Sequence, residues 1–229
     1  MDMDQRKQWN ENHKTLTNII LKPHHHKNAV NLFLNQHSLL HSFQMSDLGI
    51  HTLEDELVKD INEETLRRYP VAAPDTKNSI AWHLWHVTRI EDMTMNVLIN
   101  NDKQVFYFGN WDKKLRIDYS HSGNEMTDDE IADLSDHIDI PALFAYRIEV
   151  GRKTREIVSS LKPGDFKLKV EAERIHKLKE QHAVKDEASW LLEYWSKKNI
   201  AGLILMPATR HIFVHLNKSI RIKHRIQKM

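Results

Sequence analysis

Apolar residues recur at intervals of three and four along most of the chain, whereas the strict alternation of a half-buried strand is nearly absent. This spacing is typical of amphipathic helices. It predicts an all-α fold made of helical stretches over residues 4–21, 27–43, 52–69, 80–100, 140–161, 186–197 and 200–224. Neither an internal repeat nor a linker divides the sequence, so we expect one domain over residues 1–229.

Capping residues and prolines set the ends of several predicted helices. Pro23 and Pro70 end the first and third stretches, and Asn78 or Ser79 is the expected N-cap of the fourth. Thr127 and Glu130 predict a capping box at the start of a short acidic helix.

Other segments have weaker helical patterns. Residues 102–123 are aromatic and irregular, as in a lid or binding loop, and the charged tract 165–185 is expected to be surface and partly helical. Pro207 either starts the last helix or kinks it.

Composition argues against several classes of protein. Lys and Arg number 33 against 32 Asp and Glu, and the locally basic end, residues 218–228, suits a solvated helix terminus, so nucleic-acid binding is not expected. The chain has no cysteine, which excludes disulfides and zinc-thiolate sites. Its first residues lack the apolar core of a signal peptide, and no apolar run approaches the roughly 18 residues of a membrane span. We expect a cytoplasmic protein with no membrane partner.

Histidine is the outlier in composition, with 16 copies. His211 and His215 are four residues apart on a predicted helix, so both imidazoles lie on one face, where they suit a shared metal ion. His86 lies near the centre of the apolar stripe of the 80–100 helix, and His83 lies on its edge. His37 and His41 form another such pair, so as many as six imidazoles face the predicted interior.

A polar cavity that holds a metal ion accounts for so many inward histidines, because each buried imidazole needs a hydrogen bond or a metal. Three neutral nitrogens with a free position suit Zn²⁺, with Ni²⁺, Co²⁺ or Fe²⁺ as alternatives. The triplet formed by His24, His25 and His26 follows Pro23 and is expected to be a loop or the start of a helix.

Two segments resemble the metal-binding motifs of the DinB/YfiT-like superfamily. Residues 78–92 are similar to its second-helix motif, and residues 207–217 are similar to its fourth-helix motif. The resemblance extends from about Val30 onward. It implies a DinB-like four-helix bundle with a long crossover over residues 27–229, preceded by an N-terminal extension over residues 1–26.

The same resemblance implies a metal site with one histidine from the second helix and two from the fourth, which are His86, His211 and His215 here. His37 and His41 remain alternative ligands or pocket residues. His83 departs from the motif, where its position is usually apolar, so it is an alternative second-helix ligand. Relatives include S-transferases that use bacillithiol, mycothiol or glutathione, as well as isomerases.

The sequence is compatible with three functions. The first is a metal-dependent transferase that uses a low-molecular-weight thiol and binds an electrophile in an aromatic pocket. The candidate pocket residues are Tyr107, Trp111, Tyr146 and Trp195, and the alternative role for each is packing in the core. The second is a metal-dependent hydrolase, although Glu91 and Asp92 lie on other helix faces than His86 and are poorly placed as its general base. The third is a stress-associated protein that binds metal or ligand without catalysis. The sequence is also compatible with a homodimer.

Overall fold

The computed structural model describes residues 3–46 and 49–227, apart from the side chain of Met3. The described residues form helices and contain no strand, only two isolated β-bridges. The α-helices are α1 Met3–Ile19, α2 His26–Ser38, α3 Leu53–Val58, α4 Glu63–Arg67, α5 Ile80–Asp92, α6 Val105–Phe108, α7 Trp111–Lys114, α8 Asp128–His137, α9 Ile140–Ser160, α10 Ala172–Glu180, α11 Trp190–Ser196, α12 Ile200–Leu205 and α13 Ile212–Ile226. Short 3₁₀ turns cover Pro23–His25, Phe43–Met45, Asp165–Lys167 and Asp186–Ala188. The prediction of an all-α fold is confirmed.

Local sequence signals explain many helix ends. The Ser79 hydroxyl accepts a hydrogen bond from the Trp82 amide and caps α5, and Thr127 with Glu130 forms the predicted capping box of α8. Asp139 caps α9. Pro141 lies in the first turn of this helix, where backbone amides have no carbonyl partner within the helix, so its lack of an amide hydrogen has no cost.

Three predicted boundaries were wrong. The 27–43 helix ends at Ser38, so His41 lies in the bend beyond it, and the 52–69 helix is divided into α3 and α4 around Asp60, whose φ is 53°. The predicted 80–100 helix is α-helical only to Asp92 and continues as a π-helix over Met93–Ile99.

A second π-helix, Met206–His211, joins α12 to α13 and contains Pro207, which neither starts the helix nor simply kinks it. The proline has no amide hydrogen to donate. Around it, the Thr209 hydroxyl donates to the carbonyls of Ile204 and Leu205, and His13 Nε2 also donates to Leu205 O at 3.0 Å. Side chains therefore satisfy carbonyls in this widened turn, which immediately precedes α13.

Helix α5 is the centre of the molecule. All 13 of its residues are buried, because α4, α8, α9 and α13 pack around it. Helix α1 also belongs to the packed body: the Trp9 ring stacks on Phe213 at 4.0 Å, and its indole nitrogen donates to Gln36 O. The polar residues of α5 consequently all point towards other protein groups.

Candidate metal site

Three histidines from two helices converge at one side of α5. His86 comes from α5, while His211 ends the second π-helix and His215 lies one turn later on α13. One ring nitrogen of each lies within 4.8 Å of one nitrogen of both others, and the described residues add no fourth histidine, aspartate or glutamate to the group. The structure thus brings together the three predicted ligands.

The spacing of these nitrogens fits a small divalent cation. His86 Nε2 and His211 Nε2 are 3.3 Å apart. Two tetrahedral Zn–N bonds of about 2.0–2.1 Å would place their nitrogens roughly 3.3–3.4 Å apart. The separation of this pair therefore requires little rearrangement for binding.

A hydrogen bond sets the tautomer of His86. Its Nδ1 lies 2.6 Å from the Ser122 carbonyl, which can only accept, so Nδ1 carries the hydrogen and Nε2 keeps its lone pair. The Ser122 amide is itself held by Ala183 O at 2.8 Å. The next residue, Gly123, has a φ of 85°, and a Cβ atom there would lie 2.5 Å from Trp85 Cζ3. A glycine is needed for this close approach of the loop to α5.

His83 contacts His215 but does not belong to the group of three converging histidines. Its Nδ1 lies 2.8 Å from His215 Nδ1, and its Nε2 lies 3.2 Å from Thr76 Oγ1. When His215 Nδ1 donates to His83, and His83 Nε2 donates to Thr76, the lone pair of His215 Nε2 is free. This is the indirect support that metal-binding histidines usually receive through their other ring nitrogen.

Burial keeps these imidazoles neutral. Loss of hydration lowers the pKa of His86 to about 4 and that of His83 to about 3. The pKa values of His211 and His215 are also well below the usual value, first because of burial and then because of neighbouring histidines. At neutral pH the nitrogens are therefore unprotonated, as metal ligation requires.

An apolar cavity of about 320 Å³ adjoins this site. His86 and His211 form part of its wall, and the rest is Ile90, Asn124, Trp190, Leu191, Tyr194, Trp195, Met206 and Pro207. Of the four aromatic residues considered from the sequence, only Trp195 lines it. Tyr146 and Trp111 are buried elsewhere, where they donate to Asp92 and Glu149, respectively. Trp190 and Tyr194 were missed because nothing in the pattern of α11 distinguishes a cavity wall from a surface.

His37 and His41 lie in a separate group with Glu91, a residue that sequence reasoning did not join to them. His37 Nε2 and Glu91 Oε1 are 2.7 Å apart, and His41 Nε2 and Glu91 Oε2 are 3.2 Å apart. Burial lowers the pKa of His37 to about 4. Burial alone would raise the pKa of Glu91, but His41 and His37 hold it below its usual value. The six inward histidines therefore form two groups rather than one cavity.

The remaining predicted features have structural positions outside both groups. Asp92 accepts hydrogen bonds from the Tyr146 hydroxyl at 2.6 Å and from the amides of Val105 and Phe106. His24 and His25 lie in a 3₁₀ turn and His26 starts α2, as expected of this segment. Within the described ranges, no helix has both the length and the apolar character required to cross a bilayer.

Comparison with known proteins agrees with this architecture. A solved structure of a conserved protein from Enterococcus faecalis is similar, with a TM-score of 0.60 and 14% sequence identity over 87% of this chain and 97% of that chain. At this identity the likeness shows the fold alone. No curated protein matches the chain significantly.

A sequence profile described as the DinB superfamily matches residues 53–193. The matched range contains His86 and Glu91 and ends before His211 and His215. Because the match covers more than half of the sequence, the chain belongs to the DinB superfamily.

Proposed function

We propose that the protein is a metal-dependent S-transferase, in which His86, His211 and His215 would hold a divalent cation and a low-molecular-weight thiol attacks an electrophile bound beside it. The sulfur bonds to the electrophilic carbon as the bond from that carbon to its leaving group, such as halide, breaks, and the thiol proton passes to solvent. The observation that carries the proposal is the cavity of about 320 Å³ walled by two members of the histidine triad. A site that served only to stabilise the fold would have no such opening beside its ligands.

The chain's own residues prepare this site in three ways. Ser122 O fixes the tautomer of His86, His83 contacts His215 Nδ1, and burial keeps the imidazoles of His83, His86, His211 and His215 neutral. Among the candidate metals, Zn²⁺ suits three imidazoles and an exchangeable position best, with Ni²⁺, Co²⁺ and Fe²⁺ as alternatives. When bound, the cation supplies Lewis acidity that lowers the pKa of a neighbouring thiol.

The cavity favours an apolar electrophile. Trp190, Tyr194 and Trp195 offer aromatic faces, and the Met206 side chain can adapt to the shape of a ligand. The chain has no cysteine, so the sulfur nucleophile has to enter as a co-substrate. Bacillithiol, mycothiol and glutathione are the thiols to test.

Hydrolysis is less well supported by the same geometry. The described residues that line the cavity include no aspartate or glutamate to serve as a general base. Glu91 is paired with His37, and Asp92 accepts bonds from Tyr146 and the backbone. Homodimerisation and a cytoplasmic location stay predictions.

Metal content and conjugation test the proposal in sequence. The untagged protein, His86→Ala and His211→Ala are compared with His176→Ala, which removes an exposed imidazole from α10. We expect each triad variant to hold one equivalent less metal than the wild type, and the control to hold the same amount. Equal metal content in all four proteins would refute the assignment of the triad.

Conjugation of each thiol to a chromogenic aryl halide is then measured with and without added Zn²⁺. We expect metal-dependent turnover in the wild type and the control, and its loss in the triad variants. Stoichiometric metal without turnover for any of the three thiols would instead favour a non-catalytic binding protein.

A further inference from the structure

The group formed by His37, His41 and Glu91 is as deeply buried as any part of the core. Both histidines and the glutamate have no more than 1% of their side-chain surface exposed. They come from three separate positions: the last turn of α2, the bend after it, and α5. Their convergence is thus a product of the tertiary fold.

Hydrogen bonding within the described residues leaves this group incomplete. The His37–Glu91 contact is a hydrogen bond of 2.7 Å. His41 Nε2 lies 3.2 Å from Glu91 Oε2, but the geometry is not that of a hydrogen bond. Four atoms of the group have no hydrogen-bond partner among the described residues: Glu91 Oε2, His37 Nδ1, His41 Nδ1 and His41 Nε2. Buried polar atoms nearly always have a partner, and two of these four, His41 Nε2 and Glu91 Oε2, face each other where one ion could bind both.

The backbone of α9 helps to orient His41. A Cβ atom at Gly151 would lie 3.0 Å from His41 Nδ1 and 2.9 Å from Met45 Cγ. Because glycine has no side chain, the imidazole of His41 can pack directly against the backbone of α9. With Nδ1 against α9, Nε2 is the nitrogen that faces Glu91. The imidazole therefore presents one nitrogen to the carboxylate, as a convergent ligand would.

Two imidazole nitrogens and one carboxylate oxygen are the ligands of many zinc and non-haem iron sites. One potential ligand atom from each residue lies within 4.8 Å of the others. The neighbouring arginines are occupied elsewhere: Arg155 donates to Leu34 O and Ser38 Oγ, and Arg147 is paired with Glu54. Neither guanidinium supplies the missing partner for Glu91 Oε2.

We propose that His37, His41 and Glu91 form a second metal site, which takes a first-row divalent transition metal such as Zn²⁺ or Fe²⁺ and stabilises the packing of α2 and α5. Complete burial of all three ligands suits a structural ion rather than one that exchanges substrate. The proposal is independent of the transferase activity and of the triad.

Metal titration separates the two sites. The full-length protein is stripped with a chelator and titrated with Zn²⁺ alone, and bound metal per chain is measured for the wild type, Glu91→Gln, His86→Ala and the double variant. We expect two equivalents, one, one and none, respectively. Glu180→Gln, which alters an exposed carboxylate on α10, is the matched control and should bind two.

Thermal unfolding provides the second readout. We expect Zn²⁺ to raise the Tm of stripped His86→Ala, in which only the second site remains, and to leave that of the double variant unchanged. If Glu91→Gln fails to fold, His41→Leu replaces it, because this change leaves the His37–Glu91 bond in place.

Two equivalents in a folded Glu91→Gln or His41→Leu protein would overturn the proposal. One equivalent in the wild type that disappears in His86→Ala would also overturn it, while leaving the triad intact. Two equivalents in His86→Ala would instead contradict the triad, so the two failures can be distinguished.

Discussion

We expect replacement of His83 to weaken metal binding by His86, His211 and His215, although His83 lies outside this group. Its Nδ1 is 2.8 Å from His215 Nδ1, and its Nε2 is 3.2 Å from Thr76 Oγ1. In His83→Leu, His215 loses the acceptor that orients its ring and keeps the lone pair on Nε2. Loss of such a partner typically costs 10–100-fold in metal affinity, or about 1.4–2.8 kcal/mol.

The matched variant is His83→Asn, whose amide oxygen can occupy the position of Nδ1 and accept from His215. We expect His83→Leu to raise the Kd for Zn²⁺ by 10–100-fold and His83→Asn to raise it by less than about threefold. Competition with a chromophoric chelator measures both constants, and circular dichroism verifies that both variants fold.

Wild-type affinity in a folded His83→Leu protein would refute the reasoning. Equal losses in the leucine and asparagine variants would refute it differently, because they would show that packing around the imidazole matters and the acceptor does not.

Three further predictions concern stability, pH and the cavity. Arg147→Met leaves Glu54 as an unpaired buried charge, so the free energy of unfolding should fall by about 3–5 kcal/mol in denaturant titrations, and a loss below about 1 kcal/mol would contradict this. In the metal-free protein, His37 and His86 have a pKa of about 4, whereas unfolded histidine titrates near about 6.5. Below about pH 6.5 the unfolded state therefore binds more protons than the folded state. As the pH falls from about 6.5 to 4, the free energy of unfolding should decrease by up to about 3 kcal/mol for each histidine. A free energy of unfolding that does not change over this range would contradict the burial of both as neutral imidazoles. Trp190→Ala should raise the KM for an apolar electrophile, because Trp190 lines the cavity. It should change the free energy of unfolding by less than about 1 kcal/mol, because this side chain is 49% exposed. An unchanged KM would place the electrophile elsewhere.

Several helices could be predicted because their signals are local. Ser79 and Thr127 each cap a helix by accepting a hydrogen bond from the amide three residues later. The π-helices had no comparable signal. The one around Pro207 depends on Thr209 and on His13, a residue from the other end of the chain.

The triad was predictable as a candidate because His211 and His215 are neighbours on one helix, and because the resemblance to a family supplied His86. The role of His83 was not predictable. It lay on the edge of the expected stripe, but α5 is buried on every side, so an edge position also faces protein. The same burial explains Glu91, which was predicted to lie on another helix face than His86 and meets His37 and His41 there.

The sequence by itself determined the helical class, the caps at Ser79 and Thr127 and the pairing of His211 with His215, since each follows from the spacing of residues within a few turns. The assignment of His86 came from the resemblance to a family. Only the tertiary structure decided how the histidines are divided. Helix α5 directs His86 towards α13 and Glu91 towards α2, and this separation depends on which helices surround it. A periodic pattern specifies which face of a helix is buried, but it does not specify the partner that covers each face, because that choice is made by contacts between residues far apart in the chain.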